Sequence, residues 1–501
     1  LKHVMRLLPA AGSHALMVSM EAVHEACPGE AELVQVTLVN TAGDTVTETR
    51  VPRSLTVGSL KCHIRDTCGI PYFTQQLVHG TTVLEDGVGL CELAGDVRLQ
   101  LVRRPLDPAA GRGIVEDALA GNSARVEQLL RSAADPGHER PEDGATALAA
   151  AALAGHLAVA ELLQRAGADP GARGCGGPPP LYLAAQRGHA ALVRHLCEAR
   201  AERDATVRSG ATPLSVASRQ GHVEVVQLLC SLGANSESAR KDDGATPLIA
   251  ACQEGHYHVV QALCDGGANR NKAEHSGATP INIACQKGHA DIVRFLCKAS
   301  VDMDRARIDS ATPMLMACQK GNVEVVQLLC QFGASKDKAA QHGTTPLYIA
   351  AQNGHARVVR CLCEAGADKD MLLDDGSTPF FIACQGGHVD VAQCLVENGL
   401  DWERANRSGA TPLFVASQNG HLSVAQMLCE ARVDVNRARQ DDATPLNMAC
   451  QSGHLNVVSL LCEARADLHK ADVTGAAPMR TALLNGHREV VQYLETCAAN
   501  G

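Results

Sequence analysis

The sequence predicts a mostly α-helical protein, in which a long solenoid of helix pairs follows a small α+β domain. The first observation is a helix-start signal, typically Thr-Pro-Leu, that recurs about every 33 residues between positions 146 and 477. The second is the length of 501 residues, which exceeds what one ordinary hydrophobic core holds. The third is that residues 31–104 lack the repeat and show the alternation of apolar and polar residues typical of strands.

Residues 343–370 illustrate the repeating unit. Thr345 is suited to capping a helix start, and Pro346 fits the first helical position because that residue needs no N–H partner. Gly354 ends this first helix, and Gly366 ends a second one. The apolar face of the second helix consists of Val358, Val359, Leu362 and Cys363. Helices this short are unstable alone, so each unit must stack on a neighbour.

The capping position of this unit recurs in register along the chain. It falls at Thr146, Pro179, Thr212, Thr246, Thr279, Thr312, Thr345, Thr378, Thr411, Thr444 and Ala477. With its TPLxxA and Gly-His signals, the chain resembles the ankyrin-repeat family over about residues 113–496. The resemblance implies an α-solenoid of about twelve helix pairs, stacked in a curve with loops along one edge. We expect a degenerate capping repeat at 114–143, regular repeats at 144–470 and a C-terminal capping repeat at 471–501.

Residues 31–104 read as strand, strand, helix, strand, strand and a last strand. The helix is expected in VGSLKCHIRDTCGIP (57–71), with Val57, Leu60 and Ile64 on its buried stripe. This order, together with GIP (69–71), QxLVxG (75–80) and LEDG (84–87), resembles ubiquitin and implies a ubiquitin-like β-grasp domain. Because the last strand runs into Pro105 instead of a free Gly-Gly tail, we expect no conjugation through it.

The resemblance to ubiquitin also implies a receptor-binding patch on the sheet. Val78 and Val102 fall on two of its positions, and the polar Thr41 falls near the third. The patch could dock a ubiquitin receptor or a proteasome subunit; alternatively, the two valines only continue strands with an apolar outer face.

The segments at either side of this domain have little pattern. Residues 1–30 are expected to be an unstructured or read-through leader, with Met20 as the true start, and a signal peptide is the alternative. Residues 105–113 (PLDPAAGRG) are expected to form a linker.

Composition narrows the partners and the compartment. A net charge of −10 and 2% aromatic residues argue against nucleic-acid binding. Without an apolar run of about 18 residues a membrane span is not expected. Many of the 21 cysteines recur at two positions of the repeat, too far apart from copy to copy for disulfides or zinc. We therefore expect buried thiols, in the cytoplasm or nucleus.

The sequence contains no recognisable catalytic signature. Phosphate-loop, dinucleotide-binding, HExxH and GxSxG motifs are missing. The histidines that follow Gly recur at the turn between two helices, where the ring can bond to backbone. We therefore expect no enzyme activity, no cofactor and no metal site.

Two exposed sets of residues are the candidates for partner binding. The first set ends the first helix of each pair and is nearly always Gln followed by a variable residue. We expect contacts from Gln253, Glu254, Gln286, Lys287, Gln319, Lys320, Gln352, Asn353, Gln418 and Asn419. The second set lies at the loop tips, and its candidates are Gln341, His342, Asp374, Asp375 and Arg407. In ankyrin proteins these concave and tip surfaces bind protein partners.

The favoured function is a non-enzymatic scaffold or adaptor. The array would hold a protein partner, and the ubiquitin-like domain would dock a second one through Val78 and Val102. Two alternatives remain at this point: a plain scaffold in which the ubiquitin-like domain only caps the array, and a regulatory fragment of a larger enzyme.

Overall fold

The computed structural model describes residues 33–93, 97–103, 106, 113–397 and 401–500, without the side chains of residues 499 and 500. The leader expected at 1–30 and most of the linker expected at 105–113 lie outside these residues. The described chain forms two compact units. The first contains the residues up to Ala184 together with Ala191–Ala201, and the second contains Ala185–Ala190 and the residues from Glu202 onward.

The first unit begins with a five-stranded mixed sheet. Its strands are β1 (Leu33–Val39), β2 (Thr45–Pro52), β3 (Gln75–His79), β4 (Thr82–Val83) and β5 (Val97–Arg103). They lie in the order β2-β1-β5-β3-β4. Strands β1 and β5 are parallel, and the other neighbours are antiparallel. With helix α1 (Val57–Cys68), this sheet is consistent with the expected β-grasp domain.

The alternation seen in the sequence builds the core of this domain. Val36 and Leu38 are fully buried on the inner face of β1, and the α1 residues Leu60 and Ile64 pack in the same core. Helix α1 begins where the Thr56 hydroxyl accepts a hydrogen bond from the Ser59 N–H, and it ends before Gly69 at φ 68°. Single 3₁₀ turns at Tyr72–Thr74 and Leu90–Glu92 were not expected from the sequence.

Twelve helix pairs follow among the described residues, as the repeat predicts. Pairs 1 to 4 are Ile114–Ala120 with Ser123–Arg131, Ala147–Ala154 with Leu157–Arg165, Pro180–Arg187 with Ala190–Glu198, and Pro213–Gln220 with Val223–Ser231. Pairs 5 to 8 are Pro247–Glu254 with Tyr257–Asp265, Pro280–Lys287 with Ala290–Lys298, Pro313–Lys320 with Val323–Gln331, and Pro346–Gln352 with Ala356–Glu364. Pairs 9 to 12 are Pro379–Gln385 with Val389–Val396, Pro412–Asn419 with Leu422–Glu430, Pro445–Ser452 with Leu455–Glu463, and Pro478–Leu484 with Arg488–Asn500.

The first helix of most pairs starts as the capping signal predicts. In pair 8 the Thr345 hydroxyl accepts a hydrogen bond from the Tyr348 N–H at 3.1 Å, and Pro346 occupies the first turn. In pair 12, Ala477 stands where most pairs have Thr, and no side chain caps the helix. The Gly-rich stretch before pair 3 is irregular, with a 3₁₀ turn at Gly174–Gly176 and Cys175 at φ 42°.

Candidate partner-binding surfaces

The ends of the first helices form a row of accessible side chains, which we call the helix-end row. It consists of the ten helix-end residues predicted above, Gln253 to Asn419. Glu254, Lys287, Gln319, Lys320, Gln352, Asn353 and Asn419 are exposed, and Gln253, Gln286 and Gln418 are half-buried. None is buried, so each is open to a partner. Whether partners contact them stays a prediction.

Four glutamines of the helix-end row, Gln253, Gln319, Gln352 and Gln418, are fixed through their backbone carbonyls by the next repeat. The Nε2–H of His355 donates to the Gln319 carbonyl at 3.2 Å, and the Nε2–H of His388 donates to the Gln352 carbonyl at 3.0 Å. Similar bonds join pair 1 to pair 2 and join the successive pairs from 3 to 12, with Asn322 replacing His and donating to Cys285 at 2.9 Å. The histidines therefore have the structural, backbone-bonding role that the sequence indicates, and in the described part of the chain the glutamine side chains of the row form no hydrogen bond.

The glycine that ends each of these first helices packs closely against the histidine of the next repeat. Gly321 has φ 73°, and a Cβ on it would lie 2.7 Å from Nδ1 of His355. A larger residue would displace the ring and break its bond to the helix-end row. These contacts keep the helix-end row aligned from repeat to repeat.

The position after Thr-Pro-Leu links neighbouring repeats in some pairs. Nδ2 of Asn282 donates to the Arg305 carbonyl at 3.3 Å, and Nδ2 of Asn447 donates to the Ala476 carbonyl at 3.2 Å. At the same position, Phe381 and Phe414 are buried. The two asparagines make an inter-repeat hydrogen bond, whereas Ser215 bonds to Thr212 of its own repeat and the aromatic members pack instead.

The loop tips form a second continuous row, which we call the tip row. It consists of Lys241, His275, Ile308, Gln341, Asp374, Arg407, Gln440 and Val473. The N–H of one tip residue donates to a carbonyl of the preceding loop, as for Asp374 to His342 (3.2 Å) and Arg407 to Asp375 (2.9 Å). These bonds hold the tip side chains at fixed spacing.

The tip row is irregular at Gln341. Among the described residues its N–H lacks the bond that the other tips make, and Gln341–Gly343 forms a 3₁₀ turn with His342 at φ 59°. His342 Nδ1 lies 3.4 Å from Oδ2 of Asp374, and both side chains are largely exposed. The tip residues predicted from the sequence therefore lie side by side here.

A concavity of about 440 Å³ lies between the loop that precedes pair 9 and the loop that precedes pair 10. It is lined by Leu372, Leu373, Asp374, Gly376, Arg404, Ala405, Asn406 and Arg407. Arg404 Nη1 lies 3.4 Å from Asp370 Oδ1, whereas Arg407 forms no ion pair in the described part of the chain. The carboxylate of Asp375, by contrast, accepts hydrogen bonds from the N–H (2.9 Å) and hydroxyl (2.8 Å) of Ser377.

The sequence indicated Asp374 and Arg407 at this concavity but not its other residues. Leu372 and Arg404 escaped notice because neither belongs to the helix-end row or to the outermost turn. Leu372 is 40% exposed, which is high for a leucine, and that exposure cannot be read from an irregular loop sequence.

The outer face of the sheet carries the two valines predicted for a receptor patch. Val78 and Val102 are half-buried, and they lie opposite Gln100 and Gln76 on the paired strands β3 and β5. Val39 pairs with Gln100 on the same face but is only 7% exposed, and Thr41 lies in the turn. Of these three valines, only Val78 and Val102 therefore supply accessible apolar surface, and receptor binding through it stays a prediction.

Burial disfavours ionisation of cysteines in the repeats. Burial raises the pKa of the Cys285 thiol well above its ordinary value and raises that of Cys363 to about 11, which disfavours the thiolate. In the described residues the cysteines are free, and no group of three His, Cys, Asp or Glu side chains could hold a metal ion.

The comparison with protein families agrees with this geometry. A family model of ankyrin repeats, three copies long, matches residues 115–202, 158–239, 232–307, 299–372, 366–439 and 432–500. The chain belongs to the ankyrin-repeat family. Its repeats form a protein–protein interaction scaffold, and ankyrin repeats are generally non-enzymatic. A search of curated proteins gives no significant match. Within the described part of this ankyrin chain, no helix is long and apolar enough to cross a membrane.

Proposed function

We propose that the chain is an adaptor that holds one protein partner on the helix-end and tip rows of its array and a second on the outer face of its sheet domain. The observation that carries the first half is the contrast between positions. The Thr, Ala and Gly-His positions that stack the repeats are nearly invariant from copy to copy. The second helix-end residue and the tip residue differ at almost every copy, as a surface that recognises one partner requires.

The chemistry of the two rows favours an extended partner segment. The free glutamine side chains offer donors and acceptors at each repeat, and adjacent helices lie about 8–10 Å apart. That spacing is close to three residues of an extended strand at about 3.3 Å each. Lys287, Lys320 and Arg407 add positive charge, and Asp374 adds negative charge.

The second half of the proposal is supported by the sheet. The half-buried Val78 and Val102 lie on the outer face of a domain whose core is already filled by the inner residues and α1. Exposed apolar surface of this kind typically marks a partner site. A ubiquitin receptor or a proteasome subunit fits the resemblance to ubiquitin, and the cytoplasm or nucleus fits the free thiols.

The array half is tested by replacing Gln319, Lys320, Gln352 and Asn353 with alanine. These side chains are exposed, so stability should change little. The matched control replaces Gln327, Gln331, Arg357 and Arg360, which are exposed on the second helices of the same two pairs. Both variants and the wild-type chain are used to capture proteins from cells for quantitative mass spectrometry.

We expect the helix-end variant to lose at least one protein by about tenfold, which corresponds to about 1.4 kcal/mol of binding free energy. The second-helix control should keep that protein at the wild-type level. Equal recovery by all three chains, or equal loss from both variants, would contradict binding through the helix-end row.

A further inference from the structure

The sheet domain contacts the first two helix pairs at two separate points. One is electrostatic: Arg131 Nη1, at the end of the second helix of pair 1, lies 3.9 Å from Asp86 Oδ2. The other is steric: a Cβ added to Gly167, just after the second helix of pair 2, would lie 2.9 Å from Cγ of Pro71. Both contacts therefore lie at the C-terminal end of a second helix, one in pair 1 and one in pair 2.

Asp86 is held firmly on the sheet-domain side of this contact. Lys61 Nζ lies 2.6 Å from Asp86 Oδ1, and the Lys61 side chain is largely buried. Tyr72 also hydrogen-bonds Asp86. Burial is the main cause that raises the Tyr72 pKa, and this hydrogen bond is the second, so the phenol keeps its proton. Burial alone would raise the Asp86 pKa, but Lys61, Tyr72 and Arg131 lower it overall, so a fixed carboxylate faces Arg131.

Gly167 differs from the glycines at the same position of other repeats in the atoms that an added Cβ would meet. Gly267, Gly333 and Gly366 follow the second helices of pairs 5, 7 and 8 with the same positive φ, and an added Cβ would meet nothing within 4 Å there. At other copies the position holds Ala133, Arg200, Ser300, Arg432 or Arg465, also at positive φ. A side chain is thus tolerated by the backbone, and the restriction at Gly167 comes from Pro71.

We propose that the sheet domain is seated on the ends of the second helices of pairs 1 and 2 through Pro71, Tyr72 and Asp86, and that it moves with them as one body. This surface is on the side of the domain where α1 begins, since the Gly58 N–H bonds to the Asp86 carbonyl at 2.8 Å. Alternation along β3 and β5 places Val78 and Val102 on the opposite face of the sheet from α1.

The seat has a consequence for partner binding. A domain on a free linker would sample many orientations, whereas a seated domain presents its outer face in one direction. The seated domain therefore loses less conformational entropy when a partner binds. The exposed ion pair of Arg131 contributes little energy alone, so the seat depends on this pair and the close contact of Pro71 with Gly167 acting together.

The test is hydrogen–deuterium exchange of the full chain with Gly167→Ala and its control Gly366→Ala. Both substitutions place a Cβ at positive φ after a second helix, so both strain their own repeat. Only Gly167→Ala displaces Pro71, and it should raise exchange in peptides covering residues 69–92 at least threefold, with Gly366→Ala at the wild-type rate there.

A second comparison guards against misfolding of the Gly167 variant. Arg131→Gln should also raise exchange in residues 69–92, and Arg165→Gln, the last residue of the second helix of pair 2, should not. If neither Gly167→Ala nor Arg131→Gln changes exchange there, or if the two control variants change it equally, the sheet domain is not seated on the array.

Discussion

A column of small residues limits how closely the helix pairs stack. It lies six positions after the capping residue and consists of Ala152, Ala185, Ser218, Cys252, Cys285, Cys318, Ala351, Cys384, Ser417 and Cys450. All are fully buried. Leu483 occupies the same position in pair 12 and is 66% exposed. A large side chain therefore occurs in this column only where no further described pair packs against it.

Cys285→Leu should lower the free energy of unfolding by about 1–3 kcal/mol, because the added methyl groups overpack a filled interface. Cys285→Ala and Cys285→Ser should cost less, since both residues occur in the column and the Ser218 hydroxyl donates to the Leu214 carbonyl at 2.7 Å. Urea denaturation of the three variants measures this. A leucine as well tolerated as alanine would show that thiol chemistry, and not size, selects cysteine here.

The sequence predicted this column well and the second cysteine column less well. Cys264 and Cys297, at the ends of second helices, are buried as expected. The expectation is wrong for Cys197, Cys230, Cys330, Cys363, Cys429 and Cys462, which are half-buried. The repeat period identifies equivalent positions, but the exposed fraction at the end of an apolar stripe depends on side chains in the neighbouring pair.

At the scale of the element, the hairpin-like loops are held by one recurring turn. Gly210, Gly244, Gly277, Gly376, Gly409 and Gly475 adopt positive φ in it. Ser310 and Asp442 replace glycine at φ 64° and 57°. A non-glycine residue in this region costs about 1–2 kcal/mol, so these two loops keep their shape at the expense of strain.

Ser310→Gly should therefore stabilise pairs 6 and 7 by about 0.5–1 kcal/mol after the added backbone freedom of glycine is deducted. Thermal unfolding followed by circular dichroism checks this. The reciprocal change Gly277→Ser should destabilise the chain, because its Cβ would lie 3.0 Å from the Ile308 backbone N. A Ser310→Gly variant less stable than wild type would mean that the serine makes a compensating contact.

The loop tips were predictable as exposed, but their organisation was not. The hydrogen bonds between successive tips join residues 32 positions apart, and any residue with an N–H can make them. No side-chain pattern marks such a bond. The concavity beside Asp374 and Arg407 depends on these backbone bonds, which is why the sequence indicated two of its residues and missed Leu372 and Arg404.

At the scale of the whole molecule, the chain separates stacking from recognition. The buried columns specify the repeat, and we propose that the variable helix-end and tip rows, together with the outer face of the sheet, bind partners. Both folds could be predicted from the sequence because the 33-residue repeat and the two-residue alternation of the strands are directly visible in it. It could not indicate the seat of the sheet domain, since Asp86, Arg131, Pro71 and Gly167 belong to no common motif.

The adaptor claim is tested most directly by asking whether the chain bridges two partners. A protein lost from the helix-end alanine variant defines the array partner, and a protein lost with Val78→Asp defines the sheet partner. The matched control is Val46→Asp, an exposed valine on β2 at the opposite edge of the sheet. The array partner is then captured by antibody, and the sheet partner in the eluate is measured.

We predict that the sheet partner is recovered with the array partner when the wild-type chain or Val46→Asp is present. With Val78→Asp its recovery should fall at least tenfold, while the array partner still binds the chain. Absence of the sheet partner from the array-partner eluate with the wild-type chain, or failure to find any protein whose capture depends on Val78, would contradict the account that this chain joins two partners.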